Sequence, residues 1–168
     1  FFALVPRRLS YIYKRELHRL PIFGWGLASL GMFSVDRSEG RTAFERMKRE
    51  VPEFFAHGWA LVLFPEGTRT APGASVKYKT GGVRLAIATN APIVPIALNS
   101  GECWPRNSIS KKPGLITVSV GPMIKTEGRS FEEVQAELVN WIEGEMHVIS
   151  PVLYGNKETS EFDGKTQA

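Results

Sequence analysis

The spacing of apolar positions changes along the chain, and each change marks a predicted element. Residues 9–13, Leu-Ser-Tyr-Ile-Tyr, alternate weakly and are rich in aromatic and branched side chains, which predicts a strand ending at Lys14. Leu20, Phe23, Leu27 and Leu30 recur at helical spacing, but Pro21, Gly24 and Gly26 interrupt them, so a short or broken helix is expected. Residues 32–35 read as a second strand running into Asp36-Arg37. From Ser38-Glu39-Gly40 the period returns to that of a helix, with Phe44, Met47, Val51 and Phe54 as its buried stripe and Pro52 as a kink. Arg41, Glu45, Lys48 and Arg49 form its solvated face, and His57-Gly58 its stop. Ala60-Leu61-Val62-Leu63-Phe64, bounded by Gly58 and Pro65, then predicts a strand covered on both faces. Strand, helix and strand from 32 to 64 make a βαβ-like unit.

Further on, residues 71–75 read as a loop and the next helix runs through Ala88. Residues 93–98 predict a strand whose Pro95 cannot donate to a ladder, which implies an edge or a bulge. Residues 115–120 alternate cleanly and stop at Gly121-Pro122. Ser130-Phe131-Glu132-Glu133 is a capping box, and Phe131, Val134, Leu138, Trp141 and Ile142 are the apolar stripe of the last helix. Residues 1–5 read as the close of a helix ended by Pro6. The pattern predicts an α/β fold with a mixed, mostly parallel sheet flanked by helices. One domain is expected over 1–150, followed by a polar, flexible tail over 151–168.

The strand-to-turn junction at 64–70 carries the candidate chemistry. A carboxylate, a glycine, a hydroxyl and a guanidinium follow one another at Glu66-Gly67-Thr68-Arg69, at a strand's carboxyl end, where open α/β sheets bind ligands. Gly67 would let the backbone approach a ligand, and Arg69 offers a planar donor fork suited to phosphate. The plainer reading is that Glu66 and Arg69 pair across a surface turn. Lys14 stands after its own strand, where a solvated lysine is the simple alternative. Phe23 and Trp25 fit either a core or a headgroup layer.

Phe64-Pro65-Glu66-Gly67-Thr68-Arg69 resembles the signature block of the lysophosphatidic acid acyltransferases, the 1-acylglycerol-3-phosphate acyltransferase family. Lys14-Arg15-Glu16-Leu17, Gly31-Met32-Phe33-Ser34-Val35-Asp36-Arg37 and Ala91-Pro92-Ile93-Val94-Pro95-Ile96 agree with the family's other blocks in order and spacing, so the resemblance covers residues 1 to about 120. It implies a glycerol-3-phosphate acyltransferase-like fold and transfer of an acyl chain from acyl-CoA or acyl-carrier protein to the sn-2 hydroxyl of lysophosphatidic acid, giving phosphatidic acid. It implies that Lys14, Arg37 and Arg69 grip phosphate, that Glu66, Gly67 and Thr68 complete the acceptor site with Glu66 supporting catalysis, and that Pro92, Val94 and Pro95 shape the acyl site. No cofactor and no metal are implied.

The family's reaction uses a histidine base oriented by an aspartate five positions on. Five positions after His18, His57 and His147 stand Phe23, Val62 and Val152, none of which can accept a bond from imidazole through its side chain. No catalytic residue proper is therefore assigned within the chain. The pair is expected upstream of Phe1, in an amino-terminal part that a chain opening on Phe1-Phe2-Ala3-Leu4-Val5 is expected to lack, so these residues alone are expected to be inactive.

Composition narrows the partners. At 168 residues, 43% hydrophobic and 23% charged, the chain is globular in composition and long enough to bury roughly two thirds of its unfolded surface. A formal net charge of +4 favours anionic partners, lipid headgroups and nucleic acid alike; the resemblance turns this toward a membrane surface at the cytoplasmic face and away from nucleic acid. No apolar run is long enough to span a bilayer. A single cysteine, Cys103, excludes an internal disulfide and is read as a small apolar residue. There is no Gly-x-Ser-x-Gly elbow and no Walker loop. Two other readings stay open: an acyltransferase for another lysolipid, and a noncatalytic lipid- or anion-binding module.

Overall fold

The computed structural model describes residues 7–15, 17, 23–30, 32–35, 40–74 and 76–154, with Lys14, Phe23, Leu27 and Ala28 described by their backbone alone. The elements in order are β1 (Arg8–Lys14), α1 (Phe23–Ser29), β2 (Phe33–Val35), α2 (Arg41–Ala56), β3 (Trp59–Val62), α3 (Gly81–Ala88), β4 (Ile96–Leu98), α4 (Ser100–Cys103), β5 (Val118–Val120), α5 (Phe131–Ile149) and α6 (Pro151–Tyr154). They fall into two units. The first comprises residues 1–65 and 79–91, the second residues 66–78 and 92–168.

In the first unit three parallel strands lie in the order β2-β1-β3. The βαβ-like unit read over 32–64 forms as a crossover: α2 joins the parallel strands β2 and β3, and β1 lies between them. The central position of β1 explains its burial: Leu9 and Ser10 are buried, and the Phe33 N–H donates to the Ser10 hydroxyl at 2.9 Å. That bond matters because a buried hydroxyl without a partner costs on the order of 1–3 kcal/mol. Phe33 and Val35 of β2 meet Ala43, Met47 and Val51 of α2 and Leu85 of α3 in one apolar core. The buried stripe of α2 therefore runs through Ala43, Met47 and Val51, four residues apart, while Phe44 and Phe54 are half-buried at its flanks. Ala43 is too weakly apolar to stand out in the pattern.

Pro52 lies inside α2 without ending it, and Gly58, at φ +78°, follows its last turn. The helix begins at Arg41 after Gly40; residues 36–39, where its start was expected, lie outside the described residues, as do residues 1–6 and Leu20. β3 departs further from expectation. It ends at Val62, all four of its residues are half-buried, and Leu63 and Phe64 are exposed. Among the described residues β3 pairs only with β1, through Tyr11↔Val62 at its end, and its half-buried residues fall short of the expected cover on both faces.

In the second unit β4 and β5 pair antiparallel, and Ile93 bridges to Ile124 beyond them. Pro95 separates the two pairings. It lacks an N–H, yet its carbonyl accepts from the Gly121 N–H at 2.9 Å. β5 covers only 118–120 of the expected 115–120, because its partner strand stops at Leu98 and the Asn99 side chain takes over. Asn99 Oδ1 accepts from the Thr117 N–H at 2.7 Å and its Nδ2 donates to the Leu115 carbonyl at 3.3 Å. The capping box forms as expected: Ser130 Oγ accepts from the Glu133 N–H at 3.3 Å and Glu133 Oε2 accepts from the Ser130 N–H at 3.0 Å. Those bonds hold the Glu133 carboxyl below the usual range. α5 packs on β4 and buries Val134, Leu138, Ile142 and Met146. The first residues of the expected tail form α6, and 155–168 lie outside the described residues.

Candidate functional site

Parallel pairing brings the carboxyl ends of the first unit's strands to one edge of the sheet. Lys14 is the last residue of β1 and stands across from Val35, the last of β2, while β3 leaves by the same edge through Leu63, Phe64 and Pro65. Phe64 stacks on Tyr11 of β1, with ring centroids 6.5 Å apart and planes 14° from parallel. The Lys79 N–H then donates to the Pro65 carbonyl at 2.7 Å, so the chain departs into residues 66–78 and returns through a closed neck. Arg37, the other cation expected at this edge, lies outside the described residues.

Residues 66–78 belong to the second unit, which holds them by several elements. Tyr78 donates its hydroxyl to Glu143 Oε1 of α5 at 2.7 Å. Gly73, at φ +77°, passes so close to α6 that a Cβ there would come within 2.7 Å of the Leu153 carbonyl. A Cβ on Gly101 of α4 would meet the Pro72 ring at 3.2 Å. The turn at the start of this segment needs Gly67, whose φ is +68°, a region that disfavours side chains. Thr68 and Arg69 are exposed after it, which leaves a hydroxyl and a guanidinium available to a ligand.

Glu66 and Arg69 form no ion pair, so the plain surface-pair reading of this turn does not hold. Glu66 is instead half-buried. Burial raises its carboxyl pKa above the usual range and the neighbouring Glu143 adds to the rise, while a hydrogen bond from its own backbone N–H opposes it. The Tyr78 phenol is held far above its ordinary value, first by burial and then by its bond to Glu143. The turn thus combines exposed donors at Thr68 and Arg69 with an acid reluctant to ionise. The residues expected at the acyl site lie elsewhere in the second unit: Pro92 and Val94 are exposed, whereas the Pro95 side chain is fully buried.

Sequence reasoning missed Tyr78 and Glu143, which no local spacing connects. It also passed over an open groove of about 490 Å³ in the first unit, lined by Arg46, Glu50, Glu53 and His57 along α2, with β2 and Trp59 opposite. Their spacing along one helix face was the available signal. Arg46 Nη2 donates to the Ser34 carbonyl at 2.7 Å, whereas its Nε, 4.0 Å from Glu50, is buried without a hydrogen-bond partner among the described residues, and His57 Nδ1 is 2.8 Å from the Glu53 backbone carbonyl. Among the described residues no cluster of His, Cys, Asp and Glu could hold a metal ion.

Against known proteins, residues 1–99 match the family model described as Acyltransferase. The chain is 37% identical over 147 residues to the 1-acyl-sn-glycerol-3-phosphate acyltransferase of Pseudomonas aeruginosa, covering 86% of this chain and 57% of that protein. It is 32% identical over 132 residues to the enzyme of the same name from Cocos nucifera, covering 78% and 43% respectively. The chain therefore spans about half the length of these relatives. The crystal structure of the 1-acyl-sn-glycerophosphate (LPA) acyltransferase PlsC from Thermotoga maritima superposes with a TM-score of 0.67 at 22% identity, over 83% of this chain and 56% of that one, a likeness of fold.

Proposed function

A chain whose first 99 residues match that model belongs to the acyltransferase family, and from this premise we propose that the protein moves a fatty acyl chain from acyl-CoA or acyl-carrier protein to the sn-2 hydroxyl of 1-acylglycerol-3-phosphate, giving phosphatidic acid. In that reaction the acceptor oxygen attacks the thioester carbonyl, the C–S bond breaks, and the thiol leaves with the proton that the hydroxyl gave up. The observation that carries the reading is the turn after β3: a parallel strand ends, Gly67 bends the chain at φ +68°, and Thr68 and Arg69 stand exposed, with no acidic partner on the guanidinium among the described residues. Such donors suit a phosphate monoester. The names of the relatives agree with this substrate. Lys14 and Arg37 are assigned the same phosphate-binding role, Glu66 supports the turn, and Pro92, Val94 and Pro95 are assigned to the acyl chain. No cofactor is required.

The protein is further proposed to work at the cytoplasmic face of a membrane. Trp25 on α1 is 71% exposed and Leu30 just after it 60%, beside a net charge of +4. Among the described residues no helix is long and apolar enough to cross a bilayer.

The test makes Arg69→Ala and Arg37→Ala in a complete enzyme that also carries the family's histidine–aspartate pair and compares them with the unsubstituted enzyme, using lysophosphatidic acid and a phosphate-free monoacylglycerol as acceptors. A lost charged hydrogen bond of roughly 1.5–3 kcal/mol lowers kcat/KM for the phosphate-bearing acceptor about tenfold to a hundredfold and spares the other. Equal losses on both acceptors, or none, would remove the phosphate assignment.

A further inference from the structure

Between α4 and β5 the second unit projects a loop of large apolar side chains without cover. Ile109 is 100% exposed, Leu115 82%, Trp104 54% and Ile116 52%. Single exposed apolar residues are ordinary, but four within one loop are not. The loop holds its shape through its own bonds. Lys112 N–H donates to the Cys103 carbonyl at 2.8 Å and closes the neck, while Ser108 Oγ donates to the Ser110 carbonyl at 2.7 Å. Asn107, at φ +60°, makes the turn. The Trp104 indole N–H donates to the Ser108 carbonyl at 2.8 Å, so the ring can leave water without stranding its donor.

Charge accompanies the apolar surface. Arg106, Lys111 and Lys112 lie in the same loop, with Lys111 Nζ 4.6 Å from the centroid of the Trp104 ring, and no Asp or Glu occurs between residues 103 and 126. An acidic protein surface would answer the cations but leave Ile109 and Leu115 in water. A bilayer with anionic headgroups answers both, because indole rings settle at headgroup level, aliphatic side chains go below them, and each cation contributes at the charged surface.

We propose that residues 104–116 form a docking surface for an anionic lipid bilayer, with Trp104 and Ile109 entering the interface and Arg106, Lys111 and Lys112 pairing with lipid headgroups. The inference rests on the membrane-surface part of the function proposed above and names a surface for it.

The experiment is vesicle sedimentation of the intact protein, with phosphatidylcholine alone and with phosphatidylcholine containing phosphatidylglycerol. Ile109→Ser, at a fully exposed position, is expected to weaken binding to the anionic vesicles about tenfold. The Lys111→Glu, Lys112→Glu double variant is expected to weaken it on the order of a hundredfold at low salt, with far less effect on phosphatidylcholine alone. Unchanged circular dichroism and Tm confirm that the variants fold. If the parent binds vesicles and both variants bind equally well, the loop is not the docking surface and the membrane reading stands without it. If the parent binds neither vesicle, both fall. Variants that keep vesicle binding but lose self-association or binding to an acyl-carrier protein would reassign the loop to a protein partner and overturn the proposal.

Discussion

Glu66 stands half-buried beside a second carboxylate, Glu143, with no ion pair to Arg69 to offset its charge. Its pKa is raised, so the folded chain keeps the proton at pH values where the unfolded chain has released it. Stability is therefore lost as pH rises from the ordinary carboxylate range through the raised value, and is kept below it. Glu66→Gln retains the shape and removes the charge. It is expected to raise Tm at pH 7 relative to the parent, with the gain vanishing at about pH 4, where both side chains are neutral. A gain of equal size at both pH values would show that the charge is not its cause. The turn itself was legible, because glycine, hydroxyl and guanidinium follow one another at a strand end. The partner of Tyr78 was not: Tyr78 and Glu143 are 65 residues apart, and only the fold of the second unit brings them within 2.7 Å. Nor could spacing decide whether Glu66 meets Arg69, since that depends on the backbone of the turn.

At the scale of elements, the legible parts were those whose signal is local. The capping box of α5 and the glycine stop after α2 both form, because each is satisfied within a few residues. The length of β5 was misread because a strand extends only as far as its partner does. β5 loses residues 115–117 to the side chain of Asn99, and β3 lacks a second neighbour among the described residues. Gly121 shows how an element boundary can also be a packing contact. A Cβ there would collide with Cε2 and lie 2.5 Å from Cζ2 of Trp141 on α5, and the stiff indole cannot yield locally. Gly121→Ala is expected to cost about 1–3 kcal/mol in denaturant unfolding. The same substitution made together with Trp141→Leu should cost much less than the sum of the single effects, since the two changes share one contact. Additive costs would show that the glycine is required by its backbone and not by the ring.

At the scale of the whole chain, the first unit is assembled from two stretches of sequence separated by residues 66–78. α3 comes from the second stretch, yet its Leu85 is 3% exposed in the core with Phe33, Val35, Ala43, Met47 and Val51 from the first, and its Val83 is 2% exposed. The Lys79 N–H reaches back to the Pro65 carbonyl across the same gap. Arg69 and Lys77 within the intervening segment are exposed and open to trypsin. A cut after either residue severs the chain while leaving the core of the first unit intact, and burial of each large aliphatic side chain contributes roughly 1.5–3 kcal/mol toward holding the pieces together. The nicked species is therefore expected to elute from a sizing column with the uncut protein, and to part into two fragments only in denaturant. If the fragments separate under native conditions, α3 does not hold the first unit together across the cut, and the assembly of that unit from two stretches would have to be abandoned.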